Sequence, residues 1–179
     1  MTLVTKEMHQ RAEDLGVTLH LGRGELVEEL EPLWLSLFDR HLEIGAGTLP
    51  VIDRSESWPR RRALYEELLQ HPETFIVVVR RESIAVGYVV SHLHNGPDDT
   101  WPTGDRIAEV ESIAVLPSER GQGLGTLMLD CAEQILESLG VRDVMIGVLV
   151  GNNDALRFYE KRAMTPVMLK LLRIGTRPT

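Results

Sequence analysis

The chain has a single cysteine, Cys131, in 179 residues. No internal disulfide can form, which fits a reducing compartment and points to a cytoplasmic protein. Cys131 lies on the apolar stripe of a helix argued below, so a small buried filler is expected there, not a nucleophile. Positive charge is also in short supply: 19 Lys and Arg face 27 Asp and Glu, a formal net charge of −8. Such an acidic chain argues against general binding to nucleic acid or to an anionic membrane surface. It suits a cationic substrate such as an amine, and equally suits ordinary solubility. No stretch approaches the roughly 20 apolar residues of a membrane span. The N-terminal stretch carries Lys6, Glu7, Arg11, Glu13 and Asp14 with no apolar run, so no signal peptide is expected. No internal repeat, low-complexity tract or linker is visible. The length suits one domain over residues 1–179, with 1–14 either a short extra helix or a loose arm.

What is present centres on Ile107 to Thr126, I-A-E-V-E-S-I-A-V-L-P-S-E-R-G-Q-G-L-G-T. It reads as a strand to Leu116, a Pro-Ser-Glu corner, a loop with Gly121, Gly123 and Gly125, and the start of a helix. A glycine loop at a helix N-terminus leaves backbone N–H groups free at the positive end of the helix dipole, a ready site for a phosphate. Glycine permits both positive φ and close approach of the anion. Glu109 and Glu111 lie two apart on the strand, so their side chains share one face.

The rest of the chain alternates helix and strand signals. Val17 to Leu21 alternates as a strand. Leu26, Leu30, Leu33, Trp34 and Leu37 recur at helical spacing from Glu25 to His41, with Pro32 set to kink this helix or start a second one. Ile44 to Asp53 is irregular. Ser55 to Gln70 predicts another helix, with Pro59 in its first turn and Arg60, Arg61 and Arg62 spread around a solvated face. Phe75 to Arg80 and Ile84 to Ser91 form a hairpin across Arg81-Glu82-Ser83. His92 to Arg106 is a long polar loop that can wall a cleft. Leu124 to Leu139 is an amphipathic helix ending at Gly140. Val144 to Val150 is apolar throughout, as for a strand covered on both faces. Gly151-Asn152-Asn153-Asp154 signals a turn and N-cap before a short helix, and Pro166 to Arg173 reads as a last strand. The fold class expected is α+β, with strands and helices interleaved in one sheet.

Three phosphate-binding patterns compete for the glycine loop. A P-loop requires a Gly-Lys pair, which the chain lacks. A dinucleotide fingerprint from Gly121 requires a third glycine where Thr126 stands. The remaining pattern is R-x-x-G-x-G, formed by Arg120, Gly123 and Gly125. With its strand, this stretch resembles the acetyl-coenzyme A (acetyl-CoA) signature of the GNAT superfamily of N-acetyltransferases. G-N-N-D-A-L-R-F-Y-E-K-R, Gly151 to Arg162, resembles the family's second motif, and the hairpin resembles its central strands.

The resemblance implies a central mixed, mostly antiparallel sheet flanked by helices on both faces. It implies acetyl-CoA as cosubstrate, no metal, an amine acceptor and, as is common in the family, a homodimer. Acetyl transfer then proceeds by direct attack of a primary amine in a ternary complex. A different acyl-CoA, or a non-catalytic acyl-CoA sensor, is the alternative. The roles implied are a pyrophosphate site in the loop from Gly121, with the N–H groups of Gln122, Gly123, Leu124, Gly125 and Thr126 as cradle and the Thr126 hydroxyl added, and with Arg120 adding a contact or bracing the loop. The pantetheine arm runs along Ile113, Ala114 and Val115, with the Ile113 N–H toward the thioester oxygen and Asn152 nearby. Tyr159 faces the sulfur as the acid. Glu109 ranks first as base and Glu111 as substrate electrostatics, although either carboxylate can be the base, and a paired site can raise one of them toward neutrality. His41, His92, His94 and Trp34 read as core or loop residues that could also line an acceptor cleft. One departure stands out: the family's Gly-Phe or Gly-Tyr pair is Ala163-Met164 here, a strained choice if the turn is left-handed.

Overall fold

The computed structural model describes residues 4–45 and 50–175. Part of the irregular Ile44 to Asp53 stretch, and the residues after Gly175, lie outside the described residues. The chain runs α1 (Lys6–Asp14), β1 (Thr18–Gly22), a 3₁₀ turn (Gly24–Leu30), α2 (Glu31–Gly45), α3 (Arg54–Leu68), β2 (Phe75–Arg81), β3 (Ile84–Asn95), β4 (Arg106–Val115), a short 3₁₀ turn (Pro117–Glu119), α4 (Leu124–Ser138), β5 (Val144–Ile146) and α5 (Asn153–Glu160). The five strands form one sheet in sequence order. Every pairing is antiparallel except β4 with β5, which is parallel. This is the mixed, mostly antiparallel sheet that was expected.

Alternation along the strands sorts side chains into two cores, because successive residues of a strand face opposite sides. Val77, Val79, Val89 and Val110 pack with α1 and α4 around Leu127, Met128 and Ile135. Ile76, Val78, Tyr88 and Val90 pack with α2 and α3 around Leu30, Leu33 and Tyr65. Helix α1 resolves the open reading of the N-terminal segment. Thr5 caps it by accepting from the Met8 N–H, Met8 and Ala12 are buried, and Arg11 reaches Asp130 of α4 at 2.6 Å. Over its described residues the segment carries a docked helix, Lys6–Asp14. Pro32 sits in the first turn of α2, directly after the 3₁₀ turn, so it starts a second helix.

Three expectations are corrected. Pro59 lies inside α3, not in its first turn, because Asp53 caps the helix one residue earlier than expected and sets its start at Arg54. The strand expected from Val144 to Val150 pairs only through Ile146, and Met145, Leu149 and Val150 are exposed. Its apolar composition is therefore not the signature of cover on both faces. Pro166 to Arg173 forms no strand: it carries strand composition but, among the described residues, no ladder partner, and Met168, Leu171 and Leu172 stand in solvent. Backbone groups adopt a strand only where a neighbour takes their hydrogen bonds.

Candidate active site

The site is built on β4, whose register holds two irregularities that matter. The first is a bulge. Val90 pairs with Ser112, but the next residue of β3, Ser91, pairs with Val110, so Glu111 is an extra residue in β4. A bulge interrupts strict alternation. Glu109 and Glu111 face the α3 side, as expected from their spacing. Ser112 faces that side too, with its hydroxyl 2.5 Å from that of Tyr65. Beyond the bulge the pattern is inverted, and Ile113 and Val115 turn to the α4 side.

The second irregularity is a parting of strands. β5 accompanies β4 only along Ala108, Glu109 and Val110. In an antiparallel ladder, hydrogen-bonded and non-bonded pairs alternate. Leu116 donates to the Val86 carbonyl at 2.9 Å, which marks 86 with 116 as a bonded pair. The partners 88 with 114 are then bonded as well, and 89 with 113 and 87 with 115 are not. The backbone N–H and C=O of Ile113 and Val115 therefore point away from β3, to the side that β5 has left. Ala114 spends its backbone on Tyr88, so of the three residues expected to guide the pantetheine arm, two have outward backbone groups.

The glycine loop lies at the end of this open edge. Gly121 has φ +76° and Gly123 φ +85°, left-handed values that glycine adopts without strain. Gly123 is the N-cap of α4, and no side chain caps that end. The first N–H groups of α4, at Leu124, Gly125 and Thr126, thus lack partners within the helix. No heavy atom lies within 4 Å of where a side chain of Gly121 would begin. That uncapped terminus, with room above it, fits a pyrophosphate. Two arginines hold the loop. Arg120 Nε donates to the Val115 carbonyl at 3.2 Å, the bracing role. Arg81, at the end of β2, donates to Glu119 at 3.0 Å, to the Gln122 side chain at 3.1 Å and to the Leu15 and Gly16 carbonyls. Sequence reasoning treated Arg81 only as a turn residue.

On the other face of β4, four titratable side chains meet. His94 Nε2 lies 2.5 Å from Glu109 Oε2. His92 Nε2 lies 3.9 Å from the same oxygen and 3.6 Å from Glu111 Oε2, too far to hydrogen-bond to either. Glu111 is bonded to Arg61 of α3, and their side chains are only 19% and 20% exposed, so this pair is screened far less than a surface ion pair. Burial by itself raises the Glu111 carboxyl; proximity of His92 and the Arg61 guanidinium outweighs it and holds the group below the ordinary glutamate range. The expectation that pairing lifts a carboxylate toward neutrality is thus reversed at Glu111. Arg61 also stacks on Trp34, 3.9 Å from the ring centroid, and its charge adds to burial in lowering the pKa of His41. The arginine triplet is therefore not simply a solvated face. Arg60 and Arg62 pair with Glu56 and Glu66 on the surface, while Arg61 turns inward. Trp34 is a core residue that donates to Ser57 at 2.9 Å.

The second motif approaches from α5. Asn152 is its N-cap and accepts from the Ala155 N–H at 3.3 Å, so its carbonyl oxygen serves the turn. Tyr159 is 7% exposed in the α4-side core, and desolvation pushes its hydroxyl up to about 12, so it is protonated at neutral pH. It does not share a face with Glu109 and Glu111, which lie across β4. Ala163 has φ +60°, the left-handed conformation in which alanine is strained.

Residues 36–164 match the Acetyltransferase (GNAT) family. The chain is 28% identical over 104 residues to a putative [ribosomal protein bS18]-alanine N-acetyltransferase of Bacillus subtilis, covering 58% of this chain and 62% of that protein. It is 30% identical over 128 residues to a mycothiol acetyltransferase of Amycolatopsis mediterranei, covering 72% of this chain and 39% of that protein. The chain thus spans less than two thirds of the length of either relative. In fold it resembles a GCN5-related N-acetyltransferase from Ralstonia eutropha, with TM-score 0.71, 14% identity and coverage of 89% of this chain and 99% of that one. It also resembles an aminoglycoside N-acetyltransferase crystallised with coenzyme A, with TM-score 0.65, 13% identity and coverage of 89% and 94%.

Proposed function

Since the chain belongs to the GNAT family of acetyltransferases, we propose that it transfers an acetyl group from acetyl-CoA to a primary amine by direct attack, with both substrates bound together. The observation that carries this reading is the open edge of β4 running into an uncapped helix N-terminus. An extended arm ending in a pyrophosphate has the shape and charge for that edge and that terminus.

Acetyl-CoA supplies the activated acyl group as a thioester. The residues of this chain then have separate tasks. The N–H groups from Gln122 to Thr126 hold the pyrophosphate, with Arg120 and Arg81 keeping the loop in shape. The Ile113 N–H points to the side where a thioester oxygen would lie, and donates to it as negative charge grows there. An amine with a pKa near ~10 arrives protonated. Glu109 accepts that proton, and His94, bonded to Glu109, orients the carboxylate. Glu111, kept ionised beside Arg61, attracts the cationic acceptor. Tyr159 keeps its proton at neutral pH and donates it toward the departing sulfur.

The test is incubation with acetyl-CoA and a panel of primary amines, peptides with free N-termini included, while free thiol is followed. Thiol release that depends on one class of amine is the expected result. Tight acetyl-CoA binding with no thiol release across the panel would replace this reading with an acyl-CoA sensor. Faster release from a longer acyl-CoA would replace acetyl with that acyl group.

A further inference from the structure

The reaction read above needs no metal, yet the imidazoles of β3 leave one atom unexplained. His92 Nε2 is buried and, among the described residues, has no hydrogen-bond partner. Unsatisfied buried polar atoms are rare in native proteins, and each one calls for a physical reason. His92 and His94 are two apart on β3, so both rings face the α3 side, and His92 is the ladder partner of Glu109. The two ring centroids lie 4.6 Å apart. One ring nitrogen of His92, one of His94 and a Glu109 carboxylate oxygen all lie within 4.8 Å of one another.

We infer that His92, His94 and Glu109 form a binding site for a divalent transition cation of the zinc type. Two imidazole nitrogens and one carboxylate oxygen are a donor set that such an ion prefers, whereas magnesium or calcium would call for oxygens. Bond lengths of about 2.0–2.2 Å around a tetrahedral ion separate its ligand atoms by roughly 3.3 Å. Glu109 Oε2 is now 2.5 Å from one nitrogen and 3.9 Å from the other, so the required spacing lies between these values. Small side-chain adjustments on two rigid strands would reach it. Glu111 is engaged by Arg61, so the protein supplies three ligands and leaves a fourth position to water or substrate. The arrangement also provides a way in: His92 forms the buried wall at 9% side-chain exposure, while Glu109 at 27% and His94 at 44% open toward solvent.

Binding of the ion does not depend on the acyltransferase reading; its consequence does. A cation on one oxygen of the Glu109 carboxylate withdraws electron density and lowers its basicity toward the amine proton. Metal loading therefore opposes proton abstraction by Glu109.

The experiment is a calorimetric titration of the EDTA-stripped full chain with zinc alone, without coenzyme or amine. One ion per chain is expected. His94→Ala and His92→Ala should each weaken binding at least tenfold, and His9→Ala, a surface histidine away from the cluster, should leave it unchanged. Cobalt in place of zinc should give the visible absorption of a tetrahedral site, absent in His94→Ala. If His92→Ala fails to fold, the half-exposed His94 still decides the matter. Less than one zinc per chain, or affinity indifferent to His94→Ala, would overturn the site. A chain that transfers no acetyl group at all would leave this titration fully readable, so the two readings fail separately. Where the chain does transfer, saturating zinc should suppress thiol release and EDTA should restore it; turnover untouched by bound zinc would overturn that consequence.

Discussion

Tyr159 is a packed helix residue by every measure of burial, and its chemistry follows from that burial. Its hydroxyl is pushed up to about 12, with desolvation as the cause, so it stays protonated near pH 7, as the proposed acid role requires. Tyr159→Phe keeps the ring in the core and removes only the donor. Turnover should fall by roughly a hundredfold while KM for acetyl-CoA stays within about threefold, as for loss of a general acid. Steady-state kinetics read both, and unchanged turnover would refute the acid role. Four residues later, Ala163 holds φ +60° at the turn after α5, with its N–H on the Glu160 carbonyl and the Met164 N–H on that of Tyr159. Glycine there relieves the left-handed strain but adds freedom to the unfolded chain, so Ala163→Gly should stabilise by a net ~0.5–1 kcal/mol. That corresponds to a rise in Tm of about 2 °C for a chain of this size. A lower Tm would mean the turn relaxes at no cost with alanine in place. The strain at Ala163 was legible through the family resemblance, which implies glycine at this turn where the chain has alanine. The inward turn of Arg61 was not, because three consecutive arginines look alike until the α3 face that meets Trp34 and Glu111 is known.

At the scale of elements, the legible parts were those with a strong period. The stripe of α4 and the alternation of β4 up to Glu111 follow from side-chain geometry alone. The bulge at Glu111 left no trace in the sequence, since Glu109 and Glu111 share a face with or without it; the strand register, the contact of Ser112 with Tyr65 and the turn of Ile113 and Val115 to the α4 side expose the inversion. The strand expected at Pro166 to Arg173 shows the opposite failure, in which the composition suits a strand and, among the described residues, no partner strand takes its hydrogen bonds. The glycine loop was recognised, but not what holds it. Arg81 joins the end of β2 to the Pro117–Glu119 turn, to Gln122 and to the end of α1 by charge-assisted bonds. Arg81→Ala should therefore loosen the loop more than the fold. We expect acetyl-CoA affinity to drop about tenfold, with a stability loss of only ~1–2 kcal/mol. Calorimetric binding set beside a denaturant melt separates these, and unchanged affinity would show that the loop holds its shape without Arg81.

The whole molecule closes two cores around one sheet, and the α4-side core carries two acidic groups, Cys131 and Tyr159, that burial keeps protonated. The lone cysteine, expected as a filler, is fully buried, and its thiol is pushed up to about 12 from an ordinary value of 9.0, chiefly by desolvation and further by Asp130. A group whose pKa is raised on folding contributes stability that is fully present below its unfolded value and is lost as pH rises toward its folded one. For Cys131 that window runs from about pH 9 to about 12. At pH 10 the loss from this thiol alone amounts to about 1.4 kcal/mol, one unit of pH above the unfolded value. The buried tyrosines lose stability over higher pH, so the total fall does not isolate the cysteine. The difference between wild type and Cys131→Ala does. Urea midpoints at pH 8 and pH 10 should fall further for wild type than for the variant, by an amount equivalent to about 1.4 kcal/mol. Parallel falls would mean the thiol ionises in the native state as it does in the unfolded chain, and that the α4-side core admits water at its centre.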